Sequence, residues 1–385
     1  MQFHTPTAND VARRSAVRRS RAAMRLAPWV ALVAGCYLLA EAGERLGVPA
    51  AQLICSLAVG AALALSGLVR RPFPKPAWSA AQALIGVLMG SYLSGQALAA
   101  VAPRALALSA ATLLTIAICT AIALALARMS RVSTTEAVLA MAPGGSAAII
   151  STAAEHGADS RTVAAAQYLR VALVALAAPL VVTAVGGGAE GVPAADLGSP
   201  RASGILTASP GLWPVVVLAA VCVVGAIAGR WMKLPSALLL GPLLVSMLLT
   251  LTGVAHGFAP AGPLRDVALV IVGLEVGLRF TRATISHLGR LLPELLLCIS
   301  GVCVLCAGIA WGLGRVIGIP FVDAYLATTP GGINAVLATT ATTSTDVPLV
   351  STVQSLRLVI VILTVPLLLR WLTHRGSNHA PSAGA

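Results

Sequence analysis

Apolar runs of about twenty residues, each the length needed to cross a hydrocarbon core, recur from Trp29 onward. A water-soluble domain has no place for so many. The chain has 385 residues, of which 58% are hydrophobic and 10% charged. A soluble domain of ordinary composition carries about 25% charged residues. The apolar/polar alternation of membrane strands is missing. The expected class is an all-α polytopic membrane protein.

A net charge of +13 raises the question of nucleic acid. Its distribution answers it. Arg13, Arg14, Arg18, Arg19, Arg21 and Arg25 precede the first apolar run, and most other basic residues flank later runs. That is the positive-inside pattern of a membrane protein, with contact to anionic lipid. No nucleic-acid module follows the basic arm, so membrane lipid is an expected partner and nucleic acid is not.

The seven cysteines all lie inside apolar runs, and none has ligand spacing with a histidine. Neither a zinc site nor a disulfide framework is indicated. The six histidines contain no pair at ligand spacing. No metal, cofactor or catalytic residue is assigned, and the chain is read as a non-enzyme.

The chain is a duplication. Pro143 and Pro330 lie 187 positions apart (330 − 143). At that offset Gly144 falls on Gly331, Gly145 on Gly332, Asp159 on Asp346, Gln167 on Gln354, Arg170 on Arg357 and Pro179 on Pro366. Gly86 and Gly90 fall on Gly273 and Gly277. A register this long points to an internal repeat. The expected organisation is a basic cytoplasmic tail at 1–26, repeat 1 at 27–185, a Gly/Pro/Ala/Ser-rich linker loop at 186–210, repeat 2 at 211–372 and a C-terminal tail at 373–385. Repeat 1 divides into apolar segments at about 27–46, 49–68, 79–101, 104–127, 133–155 and 162–185.

Two of the twelve segments are interrupted by Pro-Gly-Gly, in "MAPGGSAAIIST" and "TTPGGINAVLAT". Proline and glycine are the residues most costly to a helix interior. Each arm around the break has roughly ten residues, about 15 Å as helix and half the hydrocarbon thickness. Either geometry fits that length, crossing or re-entrant. If the broken segments are re-entrant, each repeat has about five crossings. Arg161, Arg230, Lys233, Arg279, Arg282 and Arg290 then stay on the inner side. If they cross, all six move outside, against the positive-inside rule. Five is odd, so the second repeat is expected to be inverted relative to the first. Inverted repeats with discontinuous helices are the build of many secondary transporters.

The candidate substrate-binding residues follow from that geometry. They are Pro143, Gly144, Gly145 and Ser146 at the first tip, and Pro330, Gly331, Gly332 and Asn334 at the second. Gln167/Arg170 and Gln354/Arg357, each three residues apart and so on one helix face, complete the set. A charge deep in an apolar run is costly and marks function by default. These arginines could hold an anionic substrate or cap the carbonyl ends of the broken helices. Glu275 sits in "IVGLEVGLRF" opposite Leu88 of repeat 1. It is an ion-coupling candidate; the competing role is an ion pair with Arg279, four residues on.

The duplicated "MAPGGSAAIISTAAEHGAD…QYLR" and "TTPGGINAVLATTATTSTD…QSLR", with the Gly86–Gly90 and Gly273–Gly277 segments before them, resemble the AbrB family of membrane proteins. That family is built on a duplicated AbrB domain and is often labelled an ammonia monooxygenase. The resemblance covers about residues 30–370. It is similar in general build to ion and organic-anion transporters with inverted repeats. The family labels also imply regulation of gene expression, or oxygenase chemistry. An oxygenase needs clustered His or carboxylate ligands, which the chain does not show in sequence.

The leading expectation is an ion-coupled secondary transporter of a small polar or anionic solute, in which a hairpin-bearing core moves against a scaffold. It would be a multi-pass protein of the bacterial inner membrane with a cytoplasmic N-terminus. No phosphate-binding "GxxxxGK[ST]" motif occurs. The alternative is a regulatory or ammonia monooxygenase-like membrane protein. A small-molecule partner is expected, and a homo-oligomer stays open.

Overall fold

The structure, a computed structural model, describes residues 8–185, 212–330, 345–346 and 348–360 apart from short stretches, chiefly 70–72, 144–148, 150–152, 154–156 and 255–257. The described residues form helices and no β-strand. In chain order these are α1 (Ala8–Arg45), α2 (Ala51–Ser66), α3 (Lys75–Ser91), α4 (Gly95–Val101), α5 (Ala105–Met129), α6 (Thr134–Met141) and α7 (Ser160–Ala184). They continue as α8 (Leu212–Trp231), α9 (Ala237–Thr252), α10 (Gly262–Leu278), α11 (Arg282–Leu288), α12 (Leu292–Ile317) and α13 (Phe321–Thr328). Residues 348–354 are helical again.

The order of lengths repeats. Helices α2, α3, α4 and α6 have 16, 17, 7 and 8 residues, as do α9, α10, α11 and α13. The duplication read from residue identities is thus also a duplication of elements. Five helical stretches are long and apolar enough to cross a membrane: Leu26–Arg45, Ala102–Met129, Ser160–Val182, Leu212–Trp231 and Leu292–Ile317. Leu38, Leu106, Val223 and Val304 stand exposed on four of them, the surface expected of helices that face lipid.

Two expected boundaries shift. The segment expected at 79–101 is two helices, α3 and α4, because the chain leaves the helix after Ser91 at the polar "SYLSG" stretch. The first helix begins at Ala8, inside the stretch expected as a basic tail.

The helices pack in two sets. In the first, α2 lies on α10 and α9 lies on α3, so the repeats exchange partners. The glycines explain how. A Cβ on Gly86 or Gly90 would overlap the carbonyl oxygens of Leu239 or Leu243 on α9. A Cβ on Gly273 or Gly277 would overlap those of Leu53 or Leu57 on α2. Without side chains the backbones touch directly, the small-xxx-small packing of membrane helices. Ser246 Oγ donates to Val87 O at 2.8 Å across the same contact. Helices α1 and α8 pack on the outside of this set, against α2 and α9.

The second set is α5, α6, α7, α12 and α13, with α5 and α12 in contact with each other. One core there joins α5, α6, α7 and α12, with Leu139, Met141 and Ile299 among its buried residues. Another joins α5, α7, α12 and α13 around Tyr325 and Leu326. Among the described residues the two sets meet chiefly through α7, which touches α2, α10 and α11. Leu57, Ala172 and Val276 form a small buried cluster at that seam.

Candidate functional site

Helix α6 starts with a capping box. Ser133 Oγ accepts from Glu136 N at 3.2 Å, and Glu136 Oε2 accepts from Ser133 N at 3.1 Å. Eight residues later the helix stops. The stop is local chemistry. Proline excludes the helical region for the residue before it, and Ala142 sits at φ −58°, ψ 123°. Thr329, before Pro330, sits at φ −54°, ψ 127°.

The break leaves carbonyls without partners. Leu139 O would accept from residue 143, but Pro143 has no N–H. Gln167, buried on α7, replaces it: its Nε2 lies 2.7 Å from Leu139 O, 3.3 Å from Ala140 O and 3.1 Å from Ala142 O. Arg170 covers the rest. Its Nη1 donates to Met141 O at 3.1 Å and Ala142 O at 2.6 Å, and its Nη2 donates to Gln167 Oε1 at 2.7 Å. A cation at a helix C-terminus also answers the negative end of the helix dipole.

Repeat 2 does the same. Gln354 Nε2 donates to Leu326 O, which lacks its partner at Pro330, at 2.6 Å, and lies 3.5 Å from Thr329 O. Arg357 Nη1 reaches Thr329 O at 2.6 Å and Thr328 O at 3.4 Å, while its Nη2 donates to Gln354 Oε1. Both arginines are 2% exposed. Of the two roles open to them in sequence, capping of the broken helices is the one these bonds describe.

Arg357 lies within electrostatic range of Arg170, and the thiols of Cys119 on α5 and of Cys303 and Cys306 on α12 lie within range of one or both. Cys119 and Cys306 are themselves 187 positions apart (306 − 119).

A second pair of contacts was not foreseen. Glu136 Oε1 accepts from Asp159 N at 2.9 Å. Asp323 Oδ1 accepts from Asp346 N at 3.1 Å. The first turn of α6 and the residue just before α7, which bracket the first break, therefore stand side by side, as do the first turn of α13 and Asp346 around the second. Glu136 and Asp323 occupy equivalent positions but differ in type, so a comparison of identities passes over them. The Ser-x-x-Glu pattern at 133–136 was the available signal.

Of the expected site residues, Pro143, Gln167, Arg170, Pro330, Gln354 and Arg357 are all buried and gathered at the two breaks. Gly144, Gly145, Ser146, Gly331, Gly332 and Asn334 lie outside the described residues. Glu275 stands apart, at the seam between the helix sets. Its Oε1 accepts from Arg279 Nε at 3.0 Å and Nη2 at 2.5 Å, the ion pair named as its competing role. The Arg279 guanidinium also lies 5.1 Å from the centroid of the Tyr168 ring on α7. The hydroxyls of Ser351 and Thr352, alanines in repeat 1, are buried without a hydrogen-bond partner. Among the described residues no group of three or more His, Cys, Asp or Glu is placed to hold a metal ion.

The family model for "Transition state regulatory protein AbrB" matches this chain twice, over residues 2–154 and 69–373. The chain belongs to the AbrB family. Within it, the chain is 34% identical over 342 residues to "Putative regulator AbrB" of Escherichia coli (strain K12), covering 88% of this chain and 93% of that protein. It is 26% identical over 300 residues to "Uncharacterized protein YhjN" of Bacillus subtilis (strain 168), covering 76% of this chain and 78% of that one. No solved structure matches. The double match of the AbrB model agrees with the duplication of elements. The regulatory wording describes those proteins and assigns no chemistry to the residues at the breaks.

Proposed function

We propose that this AbrB-family chain is a secondary transporter of the bacterial inner membrane. It would carry a small polar or anionic solute, coupled to an ion gradient, through a site at the two Pro-Gly-Gly tips. The carrying observation is the bond of Glu136 to Asp159, matched by that of Asp323 to Asp346. A segment that crossed the bilayer would separate its ends by about 30 Å. Ends that share a hydrogen bond support a hairpin that enters and returns. With re-entrant hairpins each repeat crosses five times, the second repeat is inverted, and the N-terminus and most arginines lie on the cytoplasmic side.

The helix sets support the motion. Each set is packed within itself, and among the described residues α7 is the main join between them. A core of α5–α7, α12 and α13 moving against a scaffold of α1–α3 and α8–α10 would expose the tips alternately to the two sides. Backbone opened at membrane depth is tolerated where it lines such a site.

The test is the side of the 186–210 loop. A single reporter cysteine at Ser203, in a cysteine-free background, is expected to react with an impermeant thiol reagent on intact cells. Reaction only after lysis would make the repeats parallel and overturn the hairpin site. Metal content discriminates the oxygenase reading: stoichiometric copper or iron in the purified protein would favour it. Specific DNA retention would favour the regulator.

A further inference from the structure

The first cap leaves a buried donor unanswered. Arg170 is 2% exposed, and its Nε has no hydrogen-bond partner. Its Nη1 is committed to Met141 O and Ala142 O, and its Nη2 reaches Gln167 Oε1. An unsatisfied donor on a buried cation costs more than a neutral one. The caps themselves do not need a full charge. A helix C-terminus carries about half a negative charge, so the end of α6 answers about half of the Arg170 charge.

Among the described residues, the acids nearest the breaks are committed elsewhere. Glu136 serves the start of α6 and Asp159 N. It stands five residues before Met141, about 7.5 Å along the helix. Asp323 holds the same place in α13. Glu275 is paired with Arg279 at the seam. Among the described residues, the titratable groups within electrostatic range of Arg170 are the thiols of Cys119 and Cys303, not carboxylates.

We propose that a small oxyanion binds between the two broken helices, accepting from Arg170 Nε–H and neutralising the Arg170 charge. This rests on the site reading above and gives its solute a chemical class. A carboxylate, phosphate or sulfate shares the required chemistry: negative oxygen atoms able to take a charge-assisted bond from a guanidinium. A neutral polar solute would leave the residual charge in place.

The full chain, purified into lipid nanodiscs, is titrated with the sodium salts of acetate, succinate, phosphate and sulfate. Sodium chloride at matched ionic strength and pH is the reference. At least one oxyanion is expected to raise the unfolding temperature saturably above chloride and to slow alkylation of Cys303, mapped by mass spectrometry in the unmodified chain. Which salt does so identifies the class. Arg170→Lys keeps the capping charge and loses the planar fork, so the apparent affinity is expected to fall about tenfold or more. Should that variant fail to fold, protection of Cys303 in the unmodified chain still decides. A rise that is linear in salt and equal in Arg170→Lys is general salting and overturns the proposal, as does the absence of any oxyanion effect beyond chloride. Solute flux into sealed vesicles is measured separately. Oxyanion binding without flux of any bound anion would remove the transport reading and keep the site. Flux of a neutral solute without oxyanion binding would do the reverse.

Discussion

Asp159 donates its backbone N–H to Glu136 Oε1 across 2.9 Å, although 23 positions separate them in the chain. Glu136 is thereby used twice: one oxygen closes the capping box of α6 and the other holds the start of α7. Glu136→Ala is expected to lower the stability of the detergent-solubilised protein by about 1–2 kcal/mol. Thermal unfolding read by helical circular dichroism checks this. Asp323→Ala, which loses the matching bond to Asp346, should move the midpoint in the same direction by less, since no capping box is lost there.

Gly90 faces the backbone of α9 so closely that an added Cβ would overlap Leu243 O. Gly90→Ala is expected to separate α3 from α9 and to destabilise the protein by about 1–3 kcal/mol. Gly277→Ala should do the same at α2. Gly312 on α12 has nothing within 4 Å of a built Cβ, so Gly312→Ala should be neutral or slightly stabilising. Equal effects at Gly90 and Gly312 would count against backbone contact as the reason for the glycines.

Gln167 stands in for the N–H that Pro143 lacks. Gln167→Leu keeps the volume and removes the donor, leaving Leu139 O uncapped at a cost of about 1–3 kcal/mol. The loss should be local. Hydrogen exchange is expected to quicken in α6 and leave α2, α3, α9 and α10 unchanged. Pro143→Ala, which restores an N–H, should soften the effect of Gln167→Leu when the two are combined.

Arg279 joins the two helix sets through Tyr168 and carries the charge that answers Glu275. Arg279→Met strands a nearly buried carboxylate. The expected cost is about 1–2 kcal/mol, below that of a fully buried pair because the arginine side chain is 48% exposed. Adding Glu275→Gln should recover part of the loss. Hydrogen exchange in α7 should quicken in both variants, since both lose the contact with Tyr168.

Much of the fold was legible because its signals are local. Apolar run length located the membrane-length stretches to within a few residues, although α1 itself begins earlier, at Ala8. Pro143 and Pro330 located the breaks, since a proline acts on its own neighbours wherever it sits. The split of 79–101 into α3 and α4 was missed because apolar run length reads across a short polar turn. The acid contacts were missed for another reason. Glu136 and Asp323 act on residues 23 positions away, and no periodicity of 3.6 links them. Gly86 and Gly90 were visible as matched positions, but their purpose lies in the carbonyls of the other repeat.

What the sequence determined by itself was the class, the duplication, the two breaks and the pairing of each glutamine with its arginine. These are matters of composition, offset and helix spacing, and they need no partner to be read. What only the tertiary structure decided was how the buried charges are used. Sequence left Arg170 and Arg357 open between ligand and cap, because the carbonyls that receive them lie 28 and 29 positions upstream. Only when α7 folds back beside α6 do those carbonyls meet the guanidinium. A missing proline N–H then becomes a reason for the Gln-x-x-Arg pair.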